Sequence, residues 1–136
     1  MYIVEQINEL LNHYSRILRI TCSKYNLTYE QGKLILLIPY DGISMSVLSK
    51  RLGIDNSTLT RNILIIKNKN IIKIQTSTKD KRKKNIILTS KGQLSVKKIE
   101  NNINDIFSNI NLSIDEKKNI INSIEKVNWQ LSNRDE

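Results

Sequence analysis

The chain has 136 residues, the size of one modest domain, and carries 22 Lys and Arg against 13 Asp and Glu, for a net charge of +9. One Cys and one His exclude an internal disulfide and a structural zinc site, and no apolar run reaches the length that crosses a membrane. Because Glu5 and Glu9 stand near the start without Lys or Arg, opposite to the charge of a signal peptide, we expect a cytoplasmic protein.

The first predicted element is a helix from Ile3 to Lys24, in which apolar residues recur at steps of three and four. After a break at Leu27, the run Thr28-Tyr29-Glu30-Gln31 has the form of a capping box. It predicts a short apolar helix through Ile38, ended by Pro39 and by Asp41-Gly42.

A pair of helices follows. The first runs from Ser44 and ends at Gly53, a residue suited to a left-handed C-terminal position. The second begins near Asn56, and Asp55, Asn56 and Ser57 are all good N-caps among which the sequence does not choose. Two helices joined by a short Gly-containing turn predict a helix-turn-helix.

From residue 71 the sequence pattern changes from that of helices to that of β-strands. Residues 71–76 and 85–89 are β-branched runs, and residues 77–84 between them are polar and cationic, which predicts a β-hairpin with a charged tip. Residues 67–92 hold nine Lys or Arg and one Asp, so nearly all the excess positive charge lies in this stretch. Such concentration indicates a contact surface for a polyanion.

Two more helices complete the chain. A second capping box is predicted at Ser90–Gln93, followed by an apolar seam from Val96 to Ile110, and a third box opens at Ser113. The last helix carries Ile120, Ile121, Ile124, Val127 and Leu131. The seam and the apolar faces of the first and last helices exceed what one small lobe can bury, which predicts a two-fold homodimer.

The middle of the chain resembles the MarR family of winged helix-turn-helix transcriptional regulators. The matching motifs are Leu27-Thr28 with Gln31; Leu48, Leu52 and Ile54; Ser57-Thr58-Leu59-Thr60-Arg61; Asp80-x-Arg82; Leu88-Thr89; and Lys91-Gly92. Two positions depart from the family pattern. Asn70 stands where Gly is usual after the recognition helix and can take the same left-handed backbone, and Lys67 replaces an acidic residue that often stands there.

The resemblance implies a mainly α-helical fold with a small β-hairpin wing, dimeric through its N- and C-terminal helices. It implies one domain over residues 1–136, with dimerisation helices at about 1–26 and 90–136 and a DNA-binding lobe at about 28–89. It further implies a sequence-specific regulator of transcription, commonly a repressor, that binds double-stranded DNA as a homodimer on a pseudo-palindromic operator. A small aromatic effector is part of the family pattern, and no cofactor or metal is expected.

The candidate DNA contacts lie on both helices of the motif and on the wing. Ser57, Thr58, Thr60 and Arg61 begin the recognition helix, where hydroxyl groups and a guanidinium suit base edges or phosphates. Capping by Ser57 and an ion pair of Arg61 with an acidic residue remain open alternatives. Ser46 and Lys50, on the preceding helix, can contact phosphate or simply fill surface.

Arg82 is the wing residue that we expect to enter the minor groove, with Asp80 holding it in position. The flanking lysines are expected to contact phosphates, although such a hairpin tip can also serve solubility and edge protection. These lysines are Lys79, Lys81, Lys83 and Lys84.

Four tyrosines near the first helices could line an effector pocket, foremost Tyr14 and Tyr25, with Tyr29 and Tyr40 beside them; core packing is the alternative. Cys22 invites a redox-sensing interpretation, because some relatives in the family sense oxidants through a thiol in the first helix. A lone Cys on an apolar face is more often buried packing. The chain has no nucleophilic, paired-carboxylate or phosphate-loop motif, so we predict no enzyme.

Three further classes compete with a sequence-specific regulator. A winged-helix protein-interaction module predicts a wing without concentrated charge, and a nonspecific nucleic-acid coat protein predicts no dimerisation helices. Membrane-surface binding needs Trp, Phe or Leu among the basic residues, and this stretch lacks that pattern.

Overall fold

The computed structural model describes residues 2–134. Within them the elements are α1 (Ile3–Ser23), α2 (Tyr29–Leu36), β1 (Ile43–Ser44), α3 (Met45–Leu52), α4 (Asn56–Asn68), β2 (Ile72–Thr76), β3 (Lys84–Leu88), α5 (Ser90–Ser108) and α6 (Ile114–Ser132). The predicted fold class, mainly helical with a helix-turn-helix and a hairpin wing, is confirmed. The described chain divides into two compact units between Asp105 and Ile106. None of its helices is long and apolar enough to span a membrane.

Of the three predicted capping boxes, the first is complete and the last is present as a helix cap. The Thr28 hydroxyl accepts from the N–H of Gln31 at 3.2 Å, and the Gln31 side chain accepts from the N–H of Thr28 at 3.1 Å. Ser113 accepts from the N–H of Glu116 at 3.1 Å. The box predicted at Ser90–Gln93 is wrong, because the cap of α5 is Thr89, whose hydroxyl accepts from the N–H of Gly92 at 3.0 Å.

The start of α5 is fixed one residue earlier than predicted because Thr89 also has a second partner. Its hydroxyl donates to the carbonyl of Asn70 at 2.6 Å, and its N–H donates to the carbonyl of Ile71 at 2.9 Å. A Cβ on Gly92 would collide with that same Ile71 carbonyl. The Leu-Thr-x-x-Gly motif therefore holds α5 against the turn that follows α4, where Asn70 has the predicted left-handed backbone with φ 61°.

The helix-turn-helix is formed by α3 and α4. Ser44 caps α3 through the N–H of Val47, and Gly53 ends it in the left-handed conformation with φ 65°. Asp55 caps α4, which decides among the three candidates. Ile43 and Ser44 form the short strand β1, which sequence analysis missed because two residues have no readable period.

The wing is the hairpin β2–β3 with its connecting residues 77–83. The three strands lie in the order β1-β3-β2, all antiparallel, with both Ile43 and Ile74 opposite Ile86. Lys84 belongs to β3 rather than to the tip, one residue earlier than the predicted strand start. Ile72, Ile86 and Leu88 are buried, so the sheet packs its base on the core.

The core joins α1, α2, the helix-turn-helix, the sheet and α5. Its most deeply buried side chains are Leu18, Cys22, Leu34, Ile35, Leu48, Leu59, Ile63, Ile66, Ile72, Ile86 and Ile99. Val96 and Ile103 pack partly against this core, whereas Ile106 and Ile110 are exposed. The prediction that the whole seam over 96–110 forms a dimer contact is therefore wrong, because its first part packs against the core of the same chain.

Other apolar side chains of the described residues are largely exposed. Five near the start of α1 are about half or more exposed: Ile3, Val4, Ile7, Leu10 and Leu11. Helix α6 has no buried side chain, and its Ile121, Val127 and Leu131 are each more than half exposed.

Candidate nucleic-acid interface

Helix α4 turns one face to the core and the opposite face outward. Leu59, Ile63 and Ile66 are buried, and Ser57 and Arg61, four residues apart, are exposed on the opposite side. Thr60 is exposed beside them, and Thr58 is half-buried. Three of the four residues predicted for the recognition helix are thus available to a ligand.

Asp55 fixes the beginning of α4. Its carboxylate accepts from the N–H of Thr58 at 2.7 Å and from the Thr58 hydroxyl at 3.1 Å. The backbone hydrogen bond from Thr58 is the main cause that lowers the pKa of Asp55, and the positive charge of Arg61 contributes. Ser57 is therefore not the cap, and within residues 2–134 Arg61 makes no ion pair, so both side chains remain open to another partner.

A concave groove of about 610 Å³ joins the helix-turn-helix to the wing. It is lined by Ser44, Met45, Ser46, Asn56, Thr60, Arg82, Lys83 and Lys84. Five of these eight residues were predicted DNA contacts, drawn from three separate segments of the chain. Lys50, Lys79 and Lys81 do not line this groove, although all three are exposed.

Ser44, Met45 and Asn56 line the groove and were not predicted as contacts. Asn56 stood out in the sequence only as a possible cap, and being the first residue of α4 places it beside the wing. Ser44 was seen as a helix start; its hydroxyl lies 3.3 Å from that of Ser46. The sequence shows Asn56 and Ser44 only as residues near helix starts. It does not show that the sheet brings the wing beside them to form one surface.

The wing tip confirms the interpretation of Asp80. One carboxylate oxygen of Asp80 accepts from the backbone N–H of Arg82 at 3.0 Å and from its Nε at 3.2 Å. The Arg82 side chain is nevertheless 92% exposed. Asp80 thus restrains the guanidinium of Arg82 without covering it.

Besides Arg82, two of the nine cationic residues between 67 and 92 have partners among the described residues. Lys69 donates to the carbonyl of Asn26 at 2.6 Å and to the Gln31 side chain at 3.1 Å. Lys91 donates to the carbonyl of Lys69 at 2.9 Å. The cationic surface is therefore concentrated on the wing more strongly than the charge count suggested.

The tyrosines do not share one pocket. Tyr14 lines a cavity of about 370 Å³ with Leu36, Glu100, Ile103 and Asn104, and burial, with smaller effects of Tyr29 and Cys22, raises its pKa. Tyr25 is not among the lining residues, and its hydroxyl accepts from the Asn102 side chain at 2.8 Å.

The remaining two tyrosines are not among the residues that line the cavity either. Tyr29 lies against Arg19 and Lys33, whose charged groups are 5.1 and 5.4 Å from its ring centre. Tyr40 is 84% exposed. The chain thus offers Tyr14 alone of the four as a lining residue.

Cys22 is fully buried in the core, with its Sγ where a side chain on Gly32 would have to stand. Burial raises the pKa of the Cys22 thiol, which disfavours the reactive thiolate. These observations favour packing over sensing. In the part of the chain that the structure describes, no three His, Cys, Asp or Glu side chains come together to hold a metal ion.

The chain is similar to known regulators. It is 29% identical over 121 residues to the HTH-type transcriptional regulator SarZ of Staphylococcus haemolyticus, covering 88% of this chain and 79% of that protein. It superposes on the crystal structure of a MarR transcriptional regulator from Methanosarcina mazei with a TM-score of 0.81 and 22% identity over 95% of each chain. It also matches the complex of S. aureus MepR with DNA, with a TM-score of 0.69 and 19% identity over 93% of this chain and 96% of that one. No family model matches the chain.

These matches confirm the predicted resemblance to the MarR family, and the superpositions show the winged-helix fold. The prediction that the chain is not an enzyme agrees with them, because the similar proteins are named as transcriptional regulators.

Proposed function

We propose that this chain, which has the winged-helix fold of MarR-family regulators, is a sequence-specific double-stranded DNA-binding regulator of transcription. The observation that carries the proposal is the groove in which Thr60 of α4 meets Arg82, Lys83 and Lys84 of the wing. A cationic concave surface beside an exposed helix face suits a charged backbone next to readable base edges.

The groove suggests how DNA docks. With the N-terminal part of α4 in the major groove and Arg82 in the adjacent minor groove, the sugar–phosphate strand between the two grooves would pass along this surface. Ser46, Lys83 and Lys84 line it and would donate to phosphate oxygens. Lys79 and Lys81 would extend the phosphate contacts along the wing, and Lys50 along α3.

The regulator would act as a homodimer in the cytoplasm. The exposed apolar side chains at the start of α1 and, separately, along α6 support a second copy as their partner, because exposed apolar faces of this kind mark interaction sites. A two-fold pair of recognition helices about one DNA turn, roughly 34 Å, apart would require a pseudo-palindromic operator. A dimer on such a site would repress by excluding polymerase from the promoter.

A small aromatic effector would release the operator by occupying the cavity at Tyr14. Its volume of about 370 Å³ lies at the lower end of the range for small-molecule pockets. The cavity combines the Tyr14 ring and the Ile103 side chain with the polar groups of Glu100 and Asn104, which suits a ligand with an apolar ring and a hydroxyl. The redox alternative through Cys22 gains no support, since that thiol is fully buried.

The proposal is tested by equilibrium binding of the wild-type protein to DNA from the region upstream of its own coding sequence, with a scrambled duplex as control. Titrations between about 50 and 200 mM salt separate the two kinds of binding, because nonspecific binding rests on counterion release and weakens steeply over that range. We expect two chains per duplex, preference for the natural sequence and an affinity that falls with salt. Equal affinity for both duplexes would indicate a nonspecific binder, and no binding at any salt would favour a protein-interaction module.

A further inference from the structure

Helix α4 carries two large apolar side chains that are partly exposed, Leu64 and Ile65, and Leu64 is the one that lies four residues after Thr60, which lines the groove. The buried side of α4 holds Leu59, Ile63 and Ile66, whereas Leu64 is 49% exposed. Leu64 lies one turn beyond Arg61, on the outward face that includes Ser57. About half of the Leu64 side chain is therefore open to a partner.

The position of Leu64 fits a row of base-reading residues. Ser57, Thr60, Arg61 and Leu64 stand at i, i+3, i+4 and i+7, the spacing with which the homeodomain recognition helix contacts bases in the major groove. At 1.5 Å per residue, Leu64 lies about 10 Å along the helix axis from Ser57, or roughly three base-pair steps. All four side chains are exposed.

We propose that Leu64 is a specificity-determining residue that contacts the C5-methyl group of a thymine in each half-site. Among the base edges of the major groove, this methyl is the apolar group that a leucine can cover, whereas the other edge groups are hydrogen-bond donors or acceptors. The first three residues of the row supply hydroxyl groups and a guanidinium, and Leu64 supplies the apolar contact that they lack. This inference rests on the proposed function, and it adds that Leu64 recognises a thymine at one position of each half-site.

The chain contains a matched control for this contact. Ile65 follows directly in the same helix and is 40% exposed, close to the value for Leu64. At about 100° per residue, Leu64 lies about 40° around the helix axis from the groove residue Thr60, whereas Ile65 lies about 140° from Thr60, on the side away from the groove. Truncation of Ile65 removes a similar exposed aliphatic group from the same helix without removing the proposed contact.

The experiment first lets the wild-type protein select from a pool of random-sequence duplexes, which supplies a bound duplex. Each thymine of its half-site is then replaced in turn by deoxyuridine, which removes only the methyl group, and affinities are measured for wild type, Leu64→Ala, Leu64→Gln and Ile65→Ala. Leu64→Gln keeps a long side chain that favours helix, so it guards against a local packing effect of the alanine. Far-ultraviolet circular dichroism checks that each variant is folded.

We expect one thymine whose replacement weakens binding of wild type and Ile65→Ala by about fourfold per half-site, the effect of one buried methyl group. Both Leu64 variants should bind the thymine and deoxyuridine duplexes equally. The inference is overturned if no thymine shows a methyl effect that depends on Leu64, or if the selected half-site contains no thymine, and either result leaves the proposed function standing. Failure of the wild-type protein to select any sequence would instead contradict the proposed function itself.

Discussion

The central segment from α2 to β3 and helix α6 both carry Ile and Leu at helical spacing, yet their surroundings differ. Leu34, Ile63 and Ile66 in the central segment are almost completely buried, whereas Ile121 and Val127 in α6 are more than half exposed in the single chain. Spacing shows which side of a helix is apolar, and it does not show which surface covers that side. The comparison teaches that this chain has two kinds of apolar face, one covered by the chain itself and one left exposed, which we propose a second copy covers.

The largest effect is expected from a substitution in the exposed apolar face of α6. Ile121→Asp on α6 would place a carboxylate in the proposed dimer interface, where an uncompensated buried charge costs about 3 kcal/mol or more. We expect dissociation in analytical ultracentrifugation and loss of DNA binding. Asn122→Asp adds the same charge beside it at an already polar position and should leave the dimer intact. A dimer that tolerates Ile121→Asp would show that α6 is not its interface.

The next largest effect distinguishes a buried position of α4 from an exposed one. Ile63→Ala removes a buried side chain of α4 and should lower the free energy of unfolding by about 2–5 kcal/mol. Ile65→Ala, two residues later and 40% exposed, should lower it by about 0.5 kcal/mol. Urea unfolding of both variants checks this difference, and equal losses would contradict the assignment of the inward face.

A smaller effect sharpens the comparison inside α1, whose start is exposed while Cys22 near its end is buried. Gly32→Ala would push a methyl group into the Cys22 sulfur, and such overpacking costs about 1–3 kcal/mol. Cys22→Ala should relieve part of that cost, so the double variant should be more stable than the sum of the two single changes predicts. Additive losses in a thermal-unfolding cycle would mean that the two residues are not in contact.

The smallest effect concerns the N-terminus of α4 and depends on pH. The Thr58 hydrogen bonds hold the pKa of Asp55 below its ordinary value of 3.8, so the folded state favours the carboxylate. The resulting stability is present above that ordinary value and is lost as the pH falls through the lowered pKa of the folded state.

Asp55→Asn removes this titration while keeping an equally good cap. The difference in unfolding free energy between wild type and Asp55→Asn should therefore shift against wild type as the pH is lowered from 6 through the region of 3.8 and below. A pH-independent difference would contradict the carboxylate's role at this helix start.

Local sequence signals predicted most of the fold. The starts of α1, α2 and α4, the caps at Thr28 and Ser113 and the left-handed Asn70 depend on near neighbours, and the structure has them where they were predicted. Helix α2 ends at Leu36, two residues before its predicted end at Ile38. The predictions that failed depend on distant partners. Thr89, rather than Ser90, caps α5 because it also bonds to Asn70, and β1 exists only because β3 pairs with it.

The candidate site divides in the same way. The pairing of Asp80 with Arg82 was predicted because the two residues are two positions apart in the sequence, and the hydrogen bonds between them are present. Asn56 and Met45 enter the groove only because the sheet brings the wing beside both helices, which no local pattern reveals. Tyr25 was grouped with Tyr14 by residue type, and it bonds to the Asn102 side chain instead of lining the Tyr14 cavity.

The central claim, that the wing and α4 together read DNA, is tested most directly by removing Arg82 and a charge-matched residue elsewhere. Wild type, Arg82→Ala and Lys97→Ala are compared on a selected duplex and on its scrambled counterpart at one salt concentration. We predict that Arg82→Ala weakens binding to the selected duplex by about tenfold or more. It should also lower the ratio of the affinity for the selected duplex to the affinity for the scrambled one. Lys97→Ala, which removes an exposed charge on α5, should change neither the affinity nor this ratio. Equal losses for the two variants on both duplexes would show that net charge alone carries the binding, and would contradict the account.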